Sequence, residues 1–287
     1  MASVLITGTS MGIGFEAALA FGRAGHTVHA TMRNPAQFPE LEQTASQEGL
    51  PITVSTMDVD SDESVSARIA EILKNGPIDV LINNAGVERM GSVEELSLAD
   101  FRSVMETNYF GAIRCIQAVA GHMRQRRSGC IVNVTSVAGR IANAPLTPYS
   151  ATKWALEALS EGLAGEMKTF NVRVLIVEPG IIDTAMARRV EGPLADSQYP
   201  QLVRFAALFK ASLKHPVPPS LVGQKIVEIV DSGTWQLRHP VGPDAGPFLQ
   251  WRSQMADEAW VDLNGGDDEN WYSTLERDFG LNARPEN

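Results

Sequence analysis

Val4 to Gly14 read VLITGTSMGIG, and this stretch decides the fold of the 287-residue chain. Its apolar start predicts a buried β-strand, and the glycines that follow predict a tight turn into a helix. Such a turn lets the backbone approach a pyrophosphate, while the helix N-terminus offers N–H groups and a positive dipole. Gly8, Gly12 and Gly14 are spaced G-x-x-x-G-x-G rather than G-x-G-x-x-G, the common dinucleotide fingerprint. The stretch therefore predicts a dinucleotide-binding α/β fold.

Short β-rich runs alternate with longer helical patterns downstream of this stretch. The predicted strands are Val4–Thr7, Thr27–Met32, Ile52–Met57, Ile78–Asn83, Cys130–Val134, Val172–Val177 and Trp235–His239. The predicted helices are Gly14–Arg23, one after Pro35, Ser61–Lys74, Leu98–Arg126, Pro148–Phe170, Ser220–Asp231 and one over 244–262. Continuous apolar strands separated by helices predict a parallel sheet covered on both faces. We expect the α/β class: a single doubly wound Rossmann-like domain with a central parallel sheet of about seven strands.

The domain limits follow from where this alternation stops. Residues 1–245 are expected to form the dinucleotide-binding and catalytic domain, with a substrate lid at about 181–218. Residues 246–287 are expected to form an acidic helical extension. From Trp251 to Asn287 there are nine acidic and three basic residues, a local charge of −6. This segment is interpreted as a solvated tail, as the cover of an oligomer interface, or as part of the substrate pocket.

Composition excludes several classes of function. The chain holds 24 Lys and Arg against 34 Asp and Glu, a net charge of −10, which argues against a nucleic-acid binder. Its two cysteines, Cys115 and Cys130, are too few for a disulfide framework or a zinc site and lie in apolar contexts, so buried free thiols are expected. The histidines form no ligand pair, and no metal is predicted. No run is long and apolar enough for a membrane span, and the N-terminus lacks signal-peptide character. A cytoplasmic protein is predicted.

Further motifs lie downstream: Asn83-Asn84-Ala85-Gly86 after the fourth strand, Ser136, Tyr149-Ser150-Ala151-Thr152-Lys153, and Pro179-Gly180 with Thr184. These motifs resemble the short-chain dehydrogenase/reductase family, and Ala30-Thr31-Met32-Arg33 resembles its NADP-preferring hydroxysteroid and retinol dehydrogenase-like branch. Together with the glycine turn they occur in order, and the resemblance covers about residues 3 to 240. It implies an oxidoreductase that transfers hydride between a nicotinamide cofactor and a carbonyl or secondary alcohol.

The resemblance also implies where the cofactor binds. A phosphate cradle would comprise Gly8, Ser10, Met11, Gly12, Ile13 and Gly14, and the adenine would lie by Asp58 and Val59. The cofactor cleft would be lined by Asn84, Ala85 and Gly86, and its nicotinamide end would be held by Pro179, Gly180, Ile182 and Thr184.

Four residues are predicted to carry the chemistry. Tyr149 and Lys153 are four residues apart and share one face of a helix. The lysine ammonium, with oxidised nicotinamide, would lower the tyrosine pKa from about 10, so that Tyr149 acts as acid or base. The resemblance implies that Lys153 also binds the nicotinamide ribose, and Ser136 would orient the substrate oxygen. The resemblance makes Asn108 the residue that positions a water in a proton relay.

The end of the second strand predicts which nucleotide is used. A carboxylate there would bond both ribose hydroxyls and repel a 2′-phosphate, but this chain has Met32 followed by Arg33. A guanidinium suits a phosphate in charge and in geometry, so Arg33 predicts NADP(H) over NAD(H). The alternative is a solvent-exposed arginine that begins a loop.

Two interpretations of the whole chain remain. The first is the NADP(H)-dependent enzyme, and the second is a catalytically silent NADP(H)-binding sensor or scaffold, which would be expected to lack the tyrosine, lysine or serine. A lipophilic substrate is suggested by apolar lid residues such as Met186, Leu194 and Phe209, although these could simply pack the lid onto the sheet. Apolar residues on several faces of the Leu98–Arg126 and Tyr149 helices predict a homodimer or homotetramer.

Overall fold

The computed structural model describes residues 1–190 and 197–284. Leu194, with the rest of lid positions 191–196, and extension residues 285–287 lie outside the described residues. The strands are β1 Ser3–Thr7, β2 Thr27–Met32, β3 Ile52–Thr56, β4 Val80–Asn83, β5 Gly129–Val134, β6 Val172–Pro179 and β7 Arg238–Val241. The helices are α1 Gly12–Arg23, α2 Glu40–Glu48, α3 Asp62–Asn75, α4 Leu98–Met105, α5 Gly111–Arg126, α6 Thr147–Lys168, α7 Ala185–Val190, α8 Gln201–Ser212, α9 Pro219–Asp231, α10 Ala245–Ser253, α11 Asp257–Gly265 and α12 Asp268–Phe279.

The seven strands form one parallel sheet in the order β3-β2-β1-β4-β5-β6-β7. The predicted doubly wound α/β class with a seven-stranded parallel sheet is therefore confirmed. β1 lies between β2 and β4, so the chain reverses its direction of winding beside β1. The loops that follow β1 and β4 meet at the carboxyl edge of the sheet, where ligands bind in open α/β folds.

Helices cover both faces of the sheet. On one face, α1 and α9 bury Phe21, Val222 and Ile226 against β1 and its neighbours. On the other face, α3 and α5 bury side chains that include Cys115. Both cysteines are buried and free, as predicted, and burial raises the pKa of Cys115 to about 12 and of Cys130 to about 11. Such thiols stay protonated at neutral pH and are unreactive.

The predicted Leu98–Arg126 helix is interrupted by a π-helical turn at Glu106–Phe110, which separates α4 from α5. The last strand lies at Arg238–Val241 rather than at Trp235–His239. Within the described residues, no helix is both long enough and apolar enough to cross a lipid bilayer.

The single helix predicted over 244–262 is wrong. The chain forms α10 and α11 there, separated at Ala256, whose backbone is extended. In one straight helix Trp251 and Trp260 would lie on opposite sides, about 13 Å apart along the axis. Because the chain turns between α10 and α11, the two rings instead pack edge to face with centroids 5.5 Å apart. Tertiary packing of aromatic rings has overridden the local helical pattern.

The third helix of this segment, α12, was not predicted. The Asp267 carboxylate caps its start by accepting a hydrogen bond from Asn270 N, and Gly280 at φ 66° ends it. Both signals stand in the sequence. Trp271 and Leu275 of α12 pack with Phe205 of α8 in a third hydrophobic cluster at the carboxyl edge of the sheet. The apolar residues of the lid segment therefore pack against the C-terminal helices.

Candidate active site

The turn after β1 and the first turn of α1 form a cradle of backbone atoms. Gly8 and Gly12 have φ of 70° and 63°, values that side-chain-bearing residues rarely adopt. A Cβ on Gly14 would lie 2.3 Å from the carbonyl oxygen of Gly8, so only glycine fits there. Within the described residues, no side chain caps α1, and its first turn holds no acidic residue. The N–H groups of this turn face the cleft and suit an anion such as pyrophosphate.

The loop after β4 is bonded directly to this cradle. Asn84 Nδ2 donates to the carbonyl oxygens of Thr7 and Gly8 at 3.0 and 2.9 Å. The hydroxyl oxygen of Thr7 accepts from the backbone N–H groups of Asn84 and Ala85, both at 3.0 Å. Asn84 therefore supports the cradle from beneath, while the neighbouring Ala85 and Gly86 line the cleft.

A cleft of about 660 Å³ runs along the carboxyl edge of the sheet from the ends of β2 and β3 to the start of α6. Every residue predicted to bind cofactor or carry the reaction lines it, except Gly14 and Asn108. Gly14 lies behind the cradle, where the absence of a side chain lets the loops meet. The predicted residues that the cleft brings together come from seven separate segments of the chain.

The end of the cleft near β2 and β3 carries charges of both signs. Arg33 is exposed, and Asp58 and Asp60 lie on the same stretch of wall. Burial raises the pKa of Asp60, against the opposing effects of a hydrogen bond from Thr107 and the positive charge of Arg33. Arg33 therefore lies within electrostatic reach of the adenosine end of the cleft, where its guanidinium could meet a phosphate. Asp60 was not singled out from the sequence.

Tyr149 and Ser136 face each other at the opposite end of the cleft. Burial raises the pKa of Tyr149 above its ordinary range, a hydrogen bond with Ser136 opposes that rise, and the charge of Glu88 adds to it. The predicted lowering of this pKa is thus not found in this arrangement, because burial outweighs the other effects. Ser136 Oγ also accepts from Ala138 N at 3.1 Å, in the turn after β5. A neutral Tyr149 hydroxyl is suited to donate a proton.

Lys153 lies one turn along α6 from Tyr149. Its ammonium donates to the carbonyl oxygen of Val134 at 2.9 Å and lies 5.5 Å from the centre of the Tyr149 ring. Only 4% of Lys153 is exposed. Burial lowers the pKa of Lys153 to about 8, and the charge of Glu157 opposes this change.

Asn108 lies behind the cleft rather than in it. Its Oδ1 accepts from Val87 N at 2.8 Å, and its Nδ2 donates to Val87 O at 2.9 Å and to Thr152 Oγ1 at 3.0 Å. The π-helical turn that carries Asn108 places this side chain between the loop after β4 and helix α6. Because both amide protons are used in this way, the side chain acts as a clamp in this structure. The water-positioning role predicted for it stays a prediction.

The loop after β6 holds the remaining predicted cofactor residues. Gly180 N donates to Val241 O at 2.9 Å, and Ile181 N donates to Asp244 Oδ2 at 2.7 Å. A Cβ on Gly180 would lie 2.1 Å from Asp244 Oδ1, so this glycine is required by close packing. Burial raises the pKa of Asp244. Sequence reasoning missed Asp244, whose 63-residue separation from Ile181 gives no local signal.

An apolar side chamber of about 90 Å³ opens beside Ser136. Its outer side consists of residues from the C-terminal helices, which we call the aromatic wall: Phe248, Trp251, Trp260, Leu263, Trp271 and Leu275. Lid residues Phe205, Leu208 and Phe209 complete the chamber. Of the three interpretations of the acidic segment, this arrangement favours completion of the pocket.

An ion pair crosses the mouth of the cleft next to Tyr149. Arg189 of α7 donates to both carboxylate oxygens of Glu88 at 2.9 and 3.1 Å. Sequence reasoning missed this pair because its members are 101 residues apart. In the part of the chain that the structure describes, no three His, Cys, Asp or Glu side chains group as metal ligands would.

Comparison with known proteins gives consistent results. Residues 2–193 match a family model described as short chain dehydrogenase. Retinol dehydrogenase 8 of Bos taurus is 37% identical over 261 residues, which cover 86% of this chain and 83% of that protein.

Solved structures extend the likeness to the fold. A short-chain dehydrogenase from Streptomyces avermitilis matches with a TM-score of 0.77 at 30% identity, over 97% of this chain and 98% of that one. A gluconate 5-dehydrogenase from Burkholderia cenocepacia J2315, in complex with NADP and tartrate, matches with a TM-score of 0.72 at 25% identity. That match covers 85% of this chain and 95% of the other.

Proposed function

The chain belongs to the short-chain dehydrogenase family of oxidoreductases, which act on alcohols and carbonyls, and from this premise we propose an NADP(H)-dependent enzyme for lipophilic carbonyls or secondary alcohols. One observation carries the proposal: a single cleft joins the glycine cradle to Tyr149, Lys153 and Ser136 and continues toward an apolar chamber. A cofactor lying along this cleft would place its reactive ring between the tyrosine and the chamber.

The residues of the cleft fit a dinucleotide. The cradle of Gly8 and Gly12 would receive the pyrophosphate on uncapped N–H groups of α1. Lys153 would bond the nicotinamide ribose, and the loop from Pro179 to Thr184 would hold the nicotinamide. Bound in this way, the cofactor supplies or accepts a hydride at its ring, while the protein handles the proton.

The preference for NADP(H) rests on Arg33. Met32 at the end of β2 leaves no carboxylate to bond the ribose hydroxyls or to repel a 2′-phosphate, and the exposed guanidinium follows directly. The gluconate 5-dehydrogenase with a similar fold was solved with NADP. We expect kcat/KM with NADPH to exceed that with NADH at least tenfold, or about 1.4 kcal/mol.

Proton transfer is assigned to Tyr149 with help from Ser136. The raised pKa keeps the Tyr149 hydroxyl protonated at neutral pH, which favours donation to a carbonyl oxygen and hence reduction. Ser136 would donate a hydrogen bond to the same oxygen and hold it beside the tyrosine. Lys153 would favour the phenolate that reduction leaves behind, because its ammonium charge lies nearby.

The substrate is assigned to the lipophilic class because of the apolar chamber beside Ser136. Its lining is almost entirely aliphatic and aromatic, so a polar sugar acid would lose its hydration there without partners. The relative from Bos taurus is named for retinol, itself an apolar alcohol. The likeness supports the class of substrate, not its identity.

The proposal is tested by an NADPH oxidation screen over aliphatic, aromatic, steroid and quinone carbonyls, repeated with NADH. We expect turnover with apolar carbonyls, and a loss of about 1,000-fold or more in kcat for Tyr149→Phe with NADPH affinity unchanged. NADPH binding without turnover of any carbonyl would instead favour the silent sensor. Most of the activity surviving in Tyr149→Phe would show that the acid/base assignment is wrong.

We also propose a homodimer or homotetramer. Phe110 on the π-helical turn and Trp154 on α6 are 45% and 49% exposed, on faces that the C-terminal helices leave open. Apolar side chains of this size favour burial against another surface. Sedimentation equilibrium at micromolar protein should give at least twice 31.1 kDa, and Trp154→Glu should lower that mass. A monomer at this concentration contradicts the proposal.

The cytoplasmic location stays a prediction from the sequence.

A further inference from the structure

A cluster of buried charges lies behind the reacting end of the cleft. Lys153 and Glu157 are one turn apart on α6 and are 4% and 5% exposed, and Glu178, at the end of β6, is fully buried. Burying charged groups without partners is costly, so each of these side chains requires a hydrogen bond or an opposite charge nearby. The proposed reaction uses Lys153 but assigns no role to either glutamate.

Glu157 is held firmly from two sides. The Thr135 hydroxyl donates to Oε1 at 2.6 Å, and Arg238 Nε on β7 donates to Oε2 at 2.9 Å. The turn that follows Ser136 rests on the same side chain, since a Cβ on Gly139 would lie 2.9 Å from Glu157 Cγ. Glu157 therefore connects α6, which carries Tyr149 and Lys153, to the end of β5, which carries Ser136.

The other charged groups around Glu157 come from three elements. Arg238 of β7 also donates to the exposed Glu161 of α6 at 2.7 Å. Arg140, after the Ser136 turn, lies 3.6 Å from Glu178 of β6, and neither carboxyl oxygen of Glu178 has a hydrogen-bond partner. Burial and the charge of Glu157 raise the pKa of Glu178 to about 7. Below that pH Glu178 is largely neutral.

The charge of Glu157, one turn along α6, favours the ammonium form of Lys153. Its ammonium donates to Val134 O, a neutral carbonyl, and burial favours the neutral amine. Glu157 supplies the negative charge that opposes this loss of a proton. A neutral Lys153 would not stabilise a phenolate on Tyr149, and it would bind a ribose hydroxyl less strongly.

We propose that Glu157 is a positioning residue of this site: held by Thr135 and Arg238, its carboxylate keeps Lys153 in the ammonium form. The consequence for turnover rests on the proposed function, but the effect on Lys153 does not. Glu157 touches neither the cofactor nor the substrate positions of the cleft, and it acts through the lysine.

The charge of Lys153 can be measured without turnover. Competitive labelling of the full chain with acetic anhydride between pH 6 and 11, read by peptide mass spectrometry, gives the titration midpoint of Lys153. The variant E157Q keeps the size of the side chain and an oxygen for Thr135 but removes the charge. We expect its midpoint to fall by about one pH unit, so that the ratio of neutral amine to ammonium at pH 7 rises about tenfold.

Two further variants separate charge from packing. E157D keeps a carboxylate and should restore the midpoint to near the wild-type value. E161Q removes the exposed partner of the same Arg238 guanidinium and should leave the midpoint unchanged. If E157Q does not fold, the double variant E157L/R238L replaces the buried pair by apolar side chains, a change that folds commonly tolerate, and the midpoint should again fall.

The outcomes distinguish this proposal from the proposed function. An unchanged midpoint in folded E157Q, or an equal fall in E161Q or E157D, overturns the role of Glu157. If the wild-type enzyme reduces carbonyls, kcat/KM of E157Q should begin to decline at a lower pH on the alkaline side. The shift should be about one pH unit, equal to the shift of the labelling midpoint. If no carbonyl is reduced while E157Q still shifts the midpoint, the proposed function fails and the assignment of Glu157 stands.

Discussion

The two sides of the cleft are built by different means. The cofactor side, residues 7–14 and 84–86, consists of backbone atoms held by short hydrogen bonds and by glycines that leave no room for a side chain. The aromatic wall consists of large side chains on three short helices, with rings such as Trp251 and Trp260 in edge-to-face contact, their centroids 5.5 Å apart. The first side requires particular backbone conformations, whereas the second requires volume and apolar surface. The two sides should therefore respond very differently to substitution.

The largest effect on ligand binding should come from the cofactor side. Gly14→Ala would place a Cβ 2.3 Å from Gly8 O and 2.4 Å from Asn84 Nδ2, so the two loops must separate. We expect NADPH affinity, measured by fluorescence titration, to fall about 100-fold, equivalent to about 2.7 kcal/mol. The matched control is Gly162→Ala in α6, where a Cβ meets nothing within 4 Å. Wild-type affinity in Gly14→Ala would show that this side tolerates volume after all.

The next effect concerns the buried carboxyl of Glu178. Its pKa of about 7 lies above the ordinary value of 4.5, so the folded chain binds more protons than the unfolded chain between these values. The free energy of unfolding therefore falls as the pH rises through this window. In Glu178→Gln this fall is absent, because glutamine does not ionise. The difference in free energy of unfolding between the variant and the wild type should therefore shift by about 3 kcal/mol in favour of the variant between about pH 4.5 and pH 8.

Urea unfolding at both pH values measures this gain. The exposed Glu161→Gln should follow the pH trend of the wild type. Equal stability changes at both pH values in Glu178→Gln would mean that Glu178 ionises as it does in water, and that the carboxyl edge is wetter than its burial indicates.

The aromatic wall should show a smaller effect that is confined to substrate. Trp260→Leu removes roughly 70 Å² of apolar contact surface, worth about 1.8 kcal/mol, so KM for an apolar carbonyl should rise about twentyfold. NADPH affinity should stay within about twofold of wild type, because the cradle is untouched. Trp235→Leu is the matched control, since Trp235 is exposed at the opposite edge of the sheet and stacks on Lys168 at 3.6 Å. A matching loss of NADPH affinity in Trp260→Leu would remove the distinction between the two sides.

The smallest effect on ligand binding should come from Arg33, at the end of the cleft near β2. Arg33→Ala should weaken NADPH binding about tenfold and leave NADH binding nearly unchanged, because the guanidinium would pair with the 2′-phosphate that NADH lacks. Dissociation constants for both nucleotides, measured by calorimetry, decide the matter. An equal loss of affinity for NADPH and NADH would show that Arg33 stabilises the loop after β2 and does not bind a phosphate.

The same contrast explains what could be predicted from the sequence. The seven strands and the shared helical face of Tyr149 and Lys153 were predicted because glycine turns, apolar runs and i, i+4 spacing are local signals, whereas Ser136 was identified through the family resemblance. The break between α10 and α11 was missed because ring packing between Trp251 and Trp260 decides it. Asp244, Arg189 and Glu157 were missed because their partners are distant in sequence or lie across a helix–strand contact. Burial, which sets the Tyr149 pKa, likewise depends on the completed fold.

The bond between Ile181 and Asp244 has a consequence for the order in which the site is made during translation. The 63 residues that separate these partners take a ribosome about 3 to 13 seconds to add, at roughly 5 to 20 residues per second. β1 and β4, which carry the cradle, have by then long been synthesised. The residues of the cradle are thus synthesised before the carboxylate that bonds Ile181 N. We expect a chain truncated just before Asp244 to lack this bond, and the loop after β6 to be held less firmly in it.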